Sequence, residues 1–120
     1  MAVSDPQSDA LPRVDVRFGS SAAPPYAAIV SLHGEHDLAT AATIRDALSS
    51  LYGPILLDLS PCEFIDSTVI RAVLDKHRQL ETDGHRVDLL VPPDRKVIRR
   101  VLDVSGLRLV LTVHDTMPSS

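Results

Sequence analysis

This chain of 120 residues holds 16 Asp and Glu, five His and one Cys, so their spacing decides whether any known chemistry fits. His33 and His36 flank Gly34-Glu35. Zinc hydrolases place two histidines four apart on one helix face with a glutamate beside them. The spacing here lacks that placement, so both histidines are expected as solvated loop residues and no metal is expected. Cys62 is the single cysteine, which rules out an intrachain disulfide and is too few for a structural zinc site. It reads as a buried small hydrophobe or a mildly exposed thiol. The five glycines form neither a phosphate-cradling loop nor a dinucleotide fingerprint, and no Gly-x-Ser-x-Gly elbow occurs. Nothing points to a Ser-His-Asp triad. The chain therefore reads as not an enzyme, with no catalytic residue and no cofactor.

Asp66-Ser67-Thr68 stands where an apolar run and a turn hand over to a predicted helix. The first amides of a helix lack internal partners and carry partial positive charge, so an anion is well accommodated there. A phosphate on Ser67 would add about −1.5 to −2 charge and strong acceptor oxygens. The plainer account of Ser67 is a helix N-cap, for which serine is favoured on hydrogen-bonding grounds alone. Thr68 is the alternative acceptor, or a packing residue. Asp66 is either a cap or a partner contact. Asp37 stands in the same relation to an earlier helix and reads as its cap.

The elements that must position these residues follow from periodicity. Val14, Val16 and Phe18 alternate with Asp15 and Arg17, the period of a half-buried strand. Residues 26–32 are apolar and β-prone, so the two segments are expected to pair as a hairpin across a loop over 19–25. Ala41, Ile44, Leu48 and Leu51 then mark a helix that Gly53-Pro54 stops. Residues 55–59 form a short apolar run suited to a central strand covered on both faces, and 60–65 read as a turn. Val69, Ile70, Val73, Leu74 and Leu80 mark a second helix over 66–83. Residues 87–91 read as a strand. In a third helix Val97, Ile98, Val101 and Leu102 are expected to face inward, and Arg95, Lys96, Arg99 and Arg100 outward. Residues 107–113 read as a last strand. Strands alternating with helices imply one α/β domain with a mixed, largely parallel sheet flanked by helices. It spans residues 13–114, with a flexible tail over 1–12 and a C-terminal tail over 115–120.

Composition bounds the function. A hydrophobic share of 44% and a charged share of 23% suit an ordinary globular domain that buries about two-thirds of its unfolded surface. Two Phe, two Tyr and no Trp argue against a base-stacking surface. The net charge of −4 disfavours a general role on phosphate backbones, so no direct nucleic acid is expected. The basic third-helix face reads as solvated, with an acidic partner as the alternative. No apolar stretch nears the ~20 residues of a membrane span, and a reducing cytosol is the simplest setting. The expected localisation is cytoplasmic.

Three stretches in order resemble the STAS domain of bacterial anti-sigma factor antagonists. They are Leu32-His33-Gly34-Glu35-His36-Asp37, Leu56-Leu57-Asp58-Leu59-Ser60 followed by Ile65-Asp66-Ser67-Thr68, and Val101-Leu102-Asp103-Val104-Ser105-Gly106-Leu107. The resemblance covers roughly residues 14–113. It implies that Ser67 is a regulatory serine phosphorylated by a cognate anti-sigma factor with serine-kinase activity. The unphosphorylated protein would bind that anti-sigma factor and free a sigma factor for transcription. A phosphatase would act on the phosphorylated form. The partner surface is expected to comprise Asp37, Asp66, Ser67, Thr68, Val69 and Arg71. One departure stands out. The family usually has Asp-Ser-Ser/Thr-Gly, and Val69 replaces that glycine, adding bulk where a partner or a neighbouring segment is expected to approach closely. The alternative is a STAS interaction subunit of a lipid-transport or stress-signalling assembly, without a phosphorylation switch.

Overall fold

The alternation of Val14 and Val16 produces strand β1 (Arg13–Phe18), which pairs antiparallel with β2 (Ala28–His36), Val14 opposite Leu32 and Val16 opposite Val30. The computed structural model describes residues 11–19 and 26–118. Most of the expected N-terminal tail, the loop residues 20–25 and the last two residues lie outside the described part. The remaining elements are α1 (Leu38–Ser49), β3 (Ile55–Asp58), β4 (Cys62–Ile65), α2 (Ser67–Glu81), β5 (Val87–Leu90), α3 (Lys96–Ser105) and β6 (Val113–His114). Strands run in the order β1-β2-β3-β5-β6, and all pairings after the first are parallel. Among the described residues no helix is long and apolar enough to cross a membrane.

The length of β2 organises the site. Its first half pairs with β3, Ala28 to Ser31 against Ile55 to Asp58, and its last three residues pair with β4. The chain therefore leaves β3, turns through Leu59 to Pro61, and returns beside the far end of the same strand. Gly34, with φ of 83°, sits at the register shift where β4 carries one extra residue. A side chain is strained in that conformation, and a bulge there re-aims both strand ends.

The central strands are covered on both faces. Ile55, Leu57, Val87 and Leu89 pack under the helices with Ile44, Leu48, Val69, Val73, Ile98 and Leu102, while Leu56 and Leu90 pack with Tyr26 on the opposite face. That second face also holds a buried carboxylate. Asp88 accepts from the Tyr26 hydroxyl at 2.7 Å, lies 3.1 Å from His114 Nε2, and has Arg86 Nε 2.8 Å from its other oxygen. Burial, and then the bond to Asp88, push the Tyr26 phenol well above its ordinary range. A buried carboxylate is tolerable only with such company. It ties the segment leading into β2 to β6 across β5.

Four expectations are corrected. The segment 60–65 holds a strand, β4, because the end of β2 offers it a free edge. Residues 107–113 are not one strand but a 3₁₀ turn, Leu107–Leu109, and the two-residue β6. Gly106 adopts φ of 76° and ends α3, after which Leu107 and Leu111 anchor four residues apart at helical spacing, leaving Leu109 outside. Val97 is exposed rather than buried. Arg99 turns back instead of outward, donating to the carbonyls of Val91 at 2.7 Å and Pro92 at 3.2 Å and pairing with Asp115.

Candidate functional site

Two parallel strand ends carry the site. His36 of β2 stands opposite Ile65 of β4, and the Asp66 amide donates to the His36 carbonyl at 3.2 Å. Each strand is followed at once by an aspartate and a helix, so the N-termini of α1 and α2 emerge side by side.

Both aspartates are N-caps. Asp37 Oδ1 accepts from the Ala39 amide at 2.9 Å, and the Thr40 hydroxyl accepts from the Asp37 amide at 3.2 Å. Asp66 Oδ1 accepts from the amides of Thr68 at 3.0 Å and Val69 at 3.2 Å and from the Thr68 hydroxyl. Burial would raise the Asp66 carboxyl, but these bonds and one from the Leu38 amide outweigh it and hold the group below its ordinary range. Hydrogen bonds to the ionised form act in that direction.

Because Asp66 caps α2, Ser67 does not, and the cap reading of Ser67 is corrected. Ser67 is the first helical residue and its side chain is exposed, whereas the Thr68 hydroxyl is spent on Asp66. Val69 also departs from expectation. It is 0% exposed and packed in the main core, so its bulk points away from any partner and it is no surface contact. Arg71, one turn beyond Ser67, is exposed.

The histidines behave differently from solvated loop residues. His36 is 0% exposed at the end of β2. Its Nε2 donates to the His33 carbonyl at 2.9 Å, so Nδ1 accepts from the Thr40 hydroxyl at 3.0 Å. Burial pushes the imidazole below its ordinary range, only partly offset by the carbonyl bond, and a neutral ring suits both bonds. His33 lies half-buried on β2, 3.0 Å from Asp15. Cys62 is buried, which pushes its thiol up to about 11. Among the described residues no three His, Cys, Asp or Glu side chains gather as a metal site.

Sequence reasoning missed the apolar rim. Leu38, the residue after Asp37, is 72% exposed, Phe64 is 36% exposed, and Val104 of α3 is 82% exposed. A groove of about 420 Å³ runs between α2 and α3, lined by Phe64, Ser67, Ile70, Arg100 and Val104 among others. The available signal was Val104, an apolar residue on the charged side of α3. A serine hydroxyl framed by exposed apolar side chains is suited to docking a protein surface. It offers no activated nucleophile, because no base is hydrogen-bonded to it among the described residues.

The comparisons agree with this geometry. The family model described as Mlab, STAS domain, matches residues 20–112. The anti-sigma-F factor antagonist RsfB of Mycobacterium tuberculosis is 30% identical over 98 residues, covering 75% of this chain and 78% of the relative. An anti-sigma factor antagonist from Mycobacterium paratuberculosis superposes with a TM-score of 0.74 at 19% identity, covering 89% of this chain and 88% of that one. The anti-sigma factor antagonist SpoIIAA in its unphosphorylated form superposes at 0.67 and 19%, covering 88% and 90%, and the Bacillus SpoIIAA in the phosphorylated form at 0.61 and 24%, covering 84% and 90%. The chain belongs to the STAS domain family, among relatives that are anti-sigma factor antagonists.

Proposed function

We propose that this protein is an anti-sigma factor antagonist whose unphosphorylated form binds an anti-sigma factor with serine-kinase activity in the cytoplasm, and that phosphate on Ser67 switches binding off. The observation that carries the reading is the exposed Ser67 hydroxyl, released from capping by Asp66 and set between the apolar rim and Arg71. A kinase can reach it, and a partner can cover it. The match to RsfB supports the role. Asp37, Asp66 and Thr68 hold the two helix ends still, and Leu38, Ser67 and Arg71 present the contact face.

A phosphate at the first helical residue meets amides already favourable to an anion, so the fold persists. The docked partner, by contrast, would have to desolvate it. Losing ~4 kcal/mol of binding is about a thousandfold in affinity. A phosphatase would restore the competent form, and the sigma factor would be freed only while Ser67 is bare.

The test is recovery of tagged wild type, Ser67→Ala and Ser67→Glu from host lysate. Wild type and Ser67→Ala should retain a kinase-type anti-sigma factor that Ser67→Glu loses. Retention of that partner by all three, or of transporter components instead, would point to the interaction-subunit alternative.

A further inference from the structure

We propose that phosphate on Ser67 is clasped by Arg71 and Arg100, and that this clasp lays Arg100 across the groove between α2 and α3. The inference rests on the reading of Ser67 as a phosphorylation site and adds how the modified site shuts. Ser67 and Arg71 are one turn apart on α2 and line the same cleft of about 200 Å³. Residues at that spacing are neighbours on a helix surface, about 5–6 Å between Cβ atoms. Arg100 of α3 lines with Ser67 the groove of about 420 Å³ on the other side. Ser67 thus lines one cleft with an arginine of its own helix and a second with an arginine of α3.

Neither guanidinium is in an ion pair or a side-chain hydrogen bond among the described residues. Among the described residues the arginines in ion pairs are Arg13, Arg45, Arg86, Arg99 and Arg108. Asp75, which lines the same cleft as Arg71, is engaged with Arg45 at 3.0 Å, and Asp66 with the amides of its own helix. Arg71 and Arg100 are both exposed, so they can turn onto a phosphate without disturbing the core. A guanidinium is a planar fork that pairs two donors with two phosphate oxygens, and a phosphoserine offers three.

The consequence is occlusion. With its head on the phosphate, Arg100 carries its aliphatic stem along the apolar wall formed by Ile70, Val101 and Val104. Long basic side chains cover apolar surface in this way. The docking groove would be closed by the protein's own side chain, in addition to any repulsion of the partner. A carboxylate at position 67 is shorter and carries one charge, so it should still repel the partner while closing the groove only in part.

The experiment installs phosphoserine at position 67 during synthesis and follows its second ionisation by ³¹P NMR in the wild-type background, Arg71→Gln, Arg100→Gln and the double variant. Thermal melts establish that each variant is folded. The clasp predicts that the phosphate titrates below its ordinary value of about 6, and that each substitution weakens proton release at least threefold, the double variant most. Indifference to both substitutions would overturn the clasp, and an effect of Arg71→Gln alone would overturn its reach across the groove. Because the phosphate is installed directly, these outcomes are independent of whether a host kinase modifies Ser67.

Discussion

The N-termini of α1 and α2 are built alike and finished differently. Each follows a parallel strand, each is capped by an aspartate, and the strands are in register through His36 and Ile65. After the cap, α1 presents Leu38 and α2 presents Ser67, both exposed. In α1 the polar residue one turn in, Thr40, is folded back onto Asp37 and His36. In α2 Thr68 is folded back onto Asp66. Capping is thus completed by other residues in both helices, and the first helical position is left free to face outward. One end presents an exposed apolar side chain and the other an exposed hydroxyl, held side by side by the sheet beneath.

Changes to that arrangement should fall in a definite order. The largest is Val69→Gly, which restores the usual family residue but removes a fully buried side chain from α2. It should cost about 3 kcal/mol of stability in chemical denaturation, from lost burial and lower helix propensity together. Asp66→Ala should cost about 2 kcal/mol, since it strands two amides and a threonine hydroxyl. Asp37→Ala should cost about 1 kcal/mol, its cap bond being more exposed. A smaller difference between the two aspartates would mean that the ends are held equally.

The same pair of ends should separate by pH. The His36 imidazole is held below its ordinary value of 6.5, so the unfolded chain takes up that proton first. Stability is then intact above about pH 6.5 and declines as pH falls below it, a slope that His36→Gln should flatten. The Asp66 carboxyl is held below its ordinary 3.8. Its contribution is complete above that value and is lost only as pH drops through the folded value, a slope that Asp66→Ala should remove. Smallest of all, Ser67→Ala should change stability by less than about 0.5 kcal/mol, as surface substitutions do. A larger loss would show that the hydroxyl holds the helix after all.

Most of this frame was legible in the sequence because it is written in long, periodic segments. The antiparallel hairpin, the doubly covered β3 and the two-sided α2 follow from apolar spacing alone. The segments that escaped are short or depend on distant partners. Cys62–Ile65 is only four residues and becomes a strand because β2 runs past β3. Leu107 to Val113 is β-prone locally, yet Gly106 and the anchoring of Leu107 and Leu111 bend it. Polar residues gave no sign of burial, so His36 and Asp88 were unforeseen. The groove beside Ser67 draws on β4, α2 and α3 at once, and no local pattern brings Phe64, Arg100 and Val104 together.

The central claim is that Ser67 is dispensable to the fold and decisive for regulation. Intact-mass analysis of the protein purified from its host across growth conditions, with fragmentation to locate any added phosphate, addresses it most directly. Phosphate should be found on Ser67 in the partner-free fraction, with none in the fraction bound to the anti-sigma factor and none in Ser67→Ala. Phosphate on Thr68, or a protein never phosphorylated in any condition, would contradict it.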